Sequence, residues 1–190
     1  MITARPELSF ARPPPHTRSP SPVALGATVY TFDIQLSHVD RHVYETLALR
    51  VARHPSETEE YLLTRVLAFC LEYGEGLTFS RDLTGALRAW IDVGAPDAAR
   101  LHRASKLAPR VAVYTHHDPE RVRRAVAGER IHRVEHVELY AVARTLLAEL
   151  AARLERRMAF DLSVTEGHLY VTIGSETLTG EVVHHALVGD

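Results

Sequence analysis

Four carboxylates have the spacing to share one task. Glu57 and Glu60 stand three residues apart at the expected start of a helix and so share a face. Asp82 falls in an expected turn, and Asp92 lies near the end of the strand that follows. A carboxylate from a helix and two from neighbouring strand ends can converge on a hard cation. Magnesium takes oxygen ligands and keeps several waters, so two or three carboxylates suffice. The same residues also fit plainer roles. Glu57 suits the positive end of a helix, Asp82 forms turns, and Asp92 is an ordinary strand-end charge.

The cationic candidates follow in the chain. Arg100, Arg103 and Lys106 step by three along one helix, giving either a positive edge for phosphate or a solvated face. Twelve histidines are present. His132-Arg133-Val134-Glu135-His136 matches the H-x-x-E-H string of inverted zinc peptidases, which must be helical to chelate. Here it runs into the alternating Val137–Val142, so a strand is expected instead. The neighbours His116-His117 and His184-His185 point opposite ways in an extended chain and read as surface residues. Cys70 sits on an apolar helical stripe and reads as core. There is no G-x-S-x-G string and no glycine-rich phosphate loop.

Composition narrows the possibilities. The 190 residues include 22 Lys plus Arg against 24 Asp plus Glu, and Lys106 is the sole lysine. Functions that need several lysines are excluded, and a formal charge of −2 argues against coating duplex DNA by bulk electrostatics. One cysteine forms neither an intrachain disulfide nor a cysteine-based zinc site. No apolar run approaches the ~20 residues of a membrane helix, so no membrane association is expected. Residues 1–24 hold six of the ten prolines, read as a disordered tail with no targeting helix or apolar signal core; a cytoplasmic protein is expected.

Residues 25–190 must then supply the elements, as one domain. Tyr30, Phe32, Ile34 and Leu36 alternate with polar residues, and Leu47, Leu49 and Val51 repeat the pattern, predicting an antiparallel hairpin. Ser56 and Glu59 form a capping-box pattern ahead of the Leu62, Leu63, Val66, Leu67, Cys70 stripe, with a helix end near Tyr73-Gly74. A short strand at Leu77–Phe79, a turn at Arg81–Gly85 and a strand at Leu87–Val93 follow. Pro96 falls in the first turn of a helix reaching Leu107. Strands are predicted at Val111–Tyr114, Val137–Val142, Phe160–Val164, Leu169–Ile173 and Glu181–Ala186, with helices at Pro119–Val126 and Thr145–Arg157. Gly167 turns a hairpin. The class is α/β (α+β), a mixed central sheet with flanking helices, an N-terminal hairpin and C-terminal strands.

The runs Ala52-Arg53-His54-Pro55-Ser56-Glu57-Thr58, Asp82-Leu83-Thr84-Gly85 and Trp90-Ile91-Asp92-Val93-Gly94, with Pro96-Asp97, Arg100-Leu101, Ala104-Ser105 and Val113-Tyr114-Thr115, resemble the bacterial YaeQ family. The resemblance covers the chain from about Ala27 onward. It implies a core like the PD-(D/E)xK nucleases, in which a helix glutamate, a strand aspartate and an acidic-x-lysine element surround Mg²⁺. Carried across, Glu57 or Glu60 is the helix acid, and Asp82 and Asp92 hold Mg²⁺, with Asp92 where the family usually has glutamate. Gly94 stands where the superfamily lysine is expected. The family's basic residue falls instead on the next helix, where Arg103 holds the usual lysine position and Lys106 lies one turn further. The resemblance thus implies a Mg²⁺-dependent nuclease or phosphodiesterase with nucleic acid as partner. The departures at Gly94 and Arg103, an acid replaced by Arg88 and a missing acidic segment before Asp82 point to the alternative, a catalytically degenerate nuclease-like fold used for binding or regulation.

Overall fold

Alternation along the two longest N-terminal runs produces β1 (Thr28–His38) and β2 (Val43–Arg53). Phe32, Ile34 and Leu36 on one strand and Leu47, Leu49 and Val51 on the other are buried, and the strands pair antiparallel with Ile34 opposite Leu47. The structure is a computed structural model that describes residues 26–74 and 87–187. The expected tail, the Leu77–Phe79 strand, the Arg81–Gly85 turn and Asp82 lie outside the described residues.

Helix α1 spans Glu59–Glu72. Its cap is Thr58, whose hydroxyl accepts from the Tyr61 backbone N–H, rather than the expected Ser56. The Ser56 hydroxyl is occupied by His54 Nδ1 at 2.6 Å, and Glu59 pairs with Arg53 instead of closing a capping box. Glu57 therefore precedes the helix, and the shared helical face expected for Glu57 and Glu60 does not form. The expected end holds: Gly74 follows the C-cap Tyr73 with φ +95°, in the left-handed region.

The next elements are β3 (Ala89–Val93), α2 (Ala98–Leu107), β4 (Arg110–Thr115), α3 (Pro119–Val126) and β5 (Val137–Val142). Strands β3, β4 and β5 are parallel neighbours. Strand β4 is covered on both sides, with Val111 and Val113 in the core under α2 and α3, and Ala112 and Tyr114 in the core under α1 and α4. Hence its run is continuously apolar rather than alternating. Asp97 caps α2 by accepting from the Arg100 N–H at 2.7 Å, so Pro96 precedes the helix rather than falling in its first turn.

Helix α4 (Arg144–Ala151) stops six residues short of the expected Arg157. Arg153 caps the Glu149 carbonyl, and Arg157 is already needed for β6 (Arg157–Thr165), which runs parallel to β1 with Thr31 opposite Arg157. Strands β7 (His168–Ile173) and β8 (Glu176–Ala186) complete the chain. All eight strands form one mixed sheet in the order β2-β1-β6-β7-β8-β5-β4-β3. Gly180 on β8 lets α4 lie close, because a Cβ there would stand 2.7 Å from the Leu146 Cβ.

One polar network ties α1 to the parallel strands. Arg110 at the start of β4 donates to both oxygens of Glu72 at 2.7 and 3.0 Å and lies 2.6 Å from Glu138 on β5. The Tyr114 hydroxyl donates to Glu72 at 2.6 Å, and Tyr140 donates to Glu138. Tyr114 and Tyr140 stack with ring centroids 5.0 Å apart. The Glu72 side chain is 3% exposed, so these donors replace the hydrogen bonds that water would give it.

Two stability predictions follow from this packing. Arg110→Ala strips Glu72 of its counter-charge and is expected to cost about 3–5 kcal/mol in urea unfolding. Gly180→Ala is expected to cost about 1–3 kcal/mol by forcing α4 away from β8, read as a lower urea midpoint with an unchanged slope.

Candidate functional site

Helix α1 runs antiparallel to β3–β5. Its C-terminal Glu72 meets Arg110 where β4 begins, and its first-turn Tyr61 meets Gly94 and His116 just beyond the ends of β3 and β4. The first turn of α1 therefore borders the carboxyl ends of the parallel strands, where open α/β sheets commonly hold ligands. Gly94 adopts φ +95° with its N–H bonded to the Tyr114 carbonyl, and a Cβ there would stand 3.1 Å from the Tyr61 ring. Gly94 is thus required by backbone conformation and by the close approach of Tyr61.

Asp92 is buried at the end of β3. Arg100 Nε lies 2.8 Å from each carboxylate oxygen, and its Nη2 lies 2.5 Å from Oδ1. The Trp90 indole N–H donates to Oδ2 at 3.0 Å, and the guanidinium carbon sits 5.7 Å from the Trp90 ring centroid. These hydrogen bonds to Asp92 raise the Arg100 pKa further. The Arg100 side chain remains 54% exposed, so the fork is anchored on one side and wet on the other.

The remaining sequence candidates separate. Glu57 accepts from Arg65 at 3.0 Å and from the His54 N–H at 3.2 Å. Glu60 is half-buried and close enough to act electrostatically on His116. Arg103 and Lys106 are exposed on α2, one and two turns beyond Arg100. The H-x-x-E-H string forms a turn and a 3-10 segment at Val134–His136 rather than an α-helix, so its histidines are not one helical turn apart. Cys70 is core, and burial pushes its thiol up to about 12.

The Mg²⁺ implied by the nuclease resemblance requires free carboxylate oxygens. Both oxygens of Asp92 are committed to Arg100 and Trp90, and Glu57 Oε2 is committed to Arg65 and the His54 N–H. Among the described residues no three His, Cys, Asp or Glu side chains gather in a way that could hold a metal ion. The described donor set does not fit the ion.

Sequence reasoning missed the histidines here. The chain leaves β4 at Thr115, so His116 and His117 lie in a turn and do not alternate as strand residues would. Their ring centroids are 3.8 Å apart, and His116 meets Tyr61 edge-on at 5.7 Å. The expectation of surface histidine fails for His116, whose buried Nδ1 has no hydrogen-bond partner among the described residues. Burial first and neighbouring His117 second hold His116 down to about 4, against an upward pull from Glu60, with smaller downward effects from Arg121 and Arg144. His117 is lowered by burial and by the same two arginines. Burial raises the Tyr61 pKa, and Glu57 and Asp92 raise it further, against Arg65 and Arg100. Tyr61 therefore meets the His116 ring just beyond β4 and approaches Gly94, two residues beyond Asp92. The sequence signal was the sharp end of β4 at His116-His117-Asp118-Pro119, where strand alternation has to stop.

The architecture is α+β, built on one mixed eight-stranded sheet. The sequence model described as "YaeQ protein" matches residues 23–182, and the chain belongs to the YaeQ family. It is 33% identical over 107 residues to the uncharacterized protein YaeQ of Escherichia coli K12, covering 50% of this chain and 59% of that one. It is 26% identical over 168 residues to the Salmonella typhi YaeQ, covering 79% of this chain and 91% of that one. The crystal structure of YaeQ from Xanthomonas axonopodis pv. citri aligns with TM-score 0.70 and 29% identity, covering 83% and 97% of the two chains. That from Pseudomonas syringae aligns with TM-score 0.69 and 30% identity, covering 86% and 97%. No described helix is long and apolar enough to cross a membrane.

The histidine geometry predicts a pH response. His116 protonates near 6.5 in the unfolded chain and near 4 in the folded one. Between those values the unfolded state binds more protons, so stability is full above about pH 6.5 and falls as pH drops toward 4. After allowance for solvent screening the loss is roughly 1–2 kcal/mol. His116→Asn is expected to flatten that part of the urea-midpoint profile.

Proposed function

We propose that the chain is a nuclease-like fold that binds a phosphodiester-bearing ligand, a nucleic-acid strand, without Mg²⁺-dependent hydrolysis of its own. The observation that carries this reading is the Asp92–Arg100 pair. A carboxylate fully engaged by a guanidinium fork and an indole N–H is a poor ligand for magnesium, which needs oxygen lone pairs at about 2.1 Å. The same arrangement makes Arg100 a pre-positioned cation whose outer N–H groups face solvent, and guanidinium matches phosphate geometry. Arg103 and Lys106 extend positive charge along α2 beyond it.

Under the other reading, drawn from the nuclease resemblance, Asp82 and Asp92 hold Mg²⁺, Glu57 or Glu60 positions water, and Arg103 or Lys106 contacts phosphate. One experiment separates the two. Fluorescence anisotropy with a labelled single-stranded oligonucleotide is run in EDTA and in Mg²⁺, with gels to detect cleavage. Binding is expected in both conditions without cleavage. Arg100→Ala should weaken it roughly tenfold or more, the scale of one charged hydrogen-bond pair. Mg²⁺-dependent cleavage lost in Asp92→Asn would replace this reading with the hydrolytic one, and a folded protein that binds no strand would overturn both.

A further inference from the structure

The sheet ends on β2, and no described strand lies beyond it. The hydrogen bonds fix which backbone groups of β2 face that outer side. The Thr31 N–H donates to the Arg156 carbonyl at 2.9 Å, so odd-numbered residues of β1 direct their backbone groups toward β6. Even-numbered residues of β1 therefore face β2, and the register pairs each with an odd-numbered residue, Leu36 with Glu45 and Ile34 with Leu47. The N–H and C=O groups of Tyr44, Thr46, Ala48, Arg50 and Ala52 are left pointing outward. The Ala52 carbonyl agrees with this direction, since it accepts from the Arg65 guanidinium of α1 at 3.0 Å.

This edge carries few of the devices that keep strand edges apart. β2 runs for 11 residues without proline, and no bulge interrupts its register with β1. All five outward residues are exposed, Tyr44 at 61%, and Arg50 is the one charged member of the row. The alternate residues Leu47, Leu49 and Val51 are buried in the core shared with α1, which holds the strand in place.

We propose that β2 pairs antiparallel with β2 of a second copy of this chain, about a two-fold axis at Ala48, so that the sheet continues from one subunit into the other. The strand's own sequence points to this occupant. Ala48 is the middle of the outward row, so an axis there pairs all five residues at once. Two alanines meet at the axis, where backbones and methyl groups fit without crowding. Thr46 then faces Arg50 of the second copy, and Tyr44 faces Ala52, so long side chains meet short ones and no like charges are opposed. An axis at Arg50 would set two guanidiniums against each other. Around Ala48, residues Thr46, Ala48 and Arg50 exchange about six hydrogen bonds with their counterparts. Such an isologous contact closes at two copies. Its area falls at the weak end of specific interfaces, which places the association in the micromolar range.

The mass of the full chain is measured by light scattering after gel filtration, from about 1 to about 200 µM, a range that brackets a weak interface. A mass rising from one chain toward two is expected. Ala48→Lys puts like charges at the axis and should weaken association roughly tenfold or more. Thr46→Glu sets a carboxylate opposite Arg50 of the second copy and should strengthen it roughly threefold. Cross-linking checks the register. Hydrogen-bonded antiparallel partners have Cα atoms about 5.5 Å apart, within reach of a disulfide. Cys70 is buried, so mild oxidation of the Ala48→Cys protein should yield a linked dimer through position 48, and Thr46→Cys should not. Equal melting temperatures at low concentration verify that each variant is folded. A single-chain mass across the whole range would overturn the proposal. So would a dimer indifferent to both Ala48→Lys and Thr46→Glu, or one that links through Thr46→Cys and not through Ala48→Cys.

Discussion

The bidentate pair between Arg110 and the buried Glu72 fixes how α1 lies along the parallel strands. Arg110 opens β4 and also reaches Glu138 on β5, so one guanidinium joins the end of a helix to two strands. Its carboxylate partners and their tyrosines satisfy one another, which makes the alternatives costly: sliding α1 by one residue would leave a buried charge unpaired. A helix of 14 residues is rigid over about 21 Å. Fixing one end therefore fixes the other, and Tyr61 arrives against Gly94 and His116. The approach of Tyr61 to Gly94 and His116 follows from a contact at the opposite end of the strands.

At the carboxyl end of β3 the protein balances the charge of Asp92 itself. Asp92 is surrounded by Arg100 and Trp90, an arrangement that holds a buried carboxylate without any ion. Gly94, two residues on, is demanded by its left-handed backbone and by Tyr61, so a long basic side chain at that position would be strained as well as crowded. Positive charge comes from the following helix, and the Asp97 cap sets that helix's phase so that Arg100, not Arg103 or Lys106, faces the aspartate.

Much of the fold was legible. Pro119–Val126 and Val137–Val142 appear with the expected limits, because a proline after an aspartate cap starts the one and the alternation of Val137, Glu138 and Leu139 marks the start of the other. The β1–β2 hairpin and the Gly167 turn were equally plain. The errors fell where side chains compete for the same group. Ser56 reads as a helix cap until His54 takes its hydroxyl, and Thr145–Arg157 reads as one helix until β1 recruits Arg157 into a strand. At the strand ends, Glu60 and Asp92 drew attention from residue type and spacing, whereas Tyr61 and His116 did not, since nothing local unites a helix residue with the ends of two strands.

The sequence by itself determined the α+β class, nearly every element and the family, because periodicity, caps and a run such as Arg53-His54-Pro55-Ser56-Glu57-Thr58 are local patterns. The tertiary structure alone decided the strand order and the partner of each charge. Asp92 and Arg100 are eight residues apart, and Glu72 and Arg110 thirty-eight. Whether a carboxylate meets a guanidinium or stays open to a cation depends on which ends of which elements the packing brings together, and spacing along the chain does not encode that.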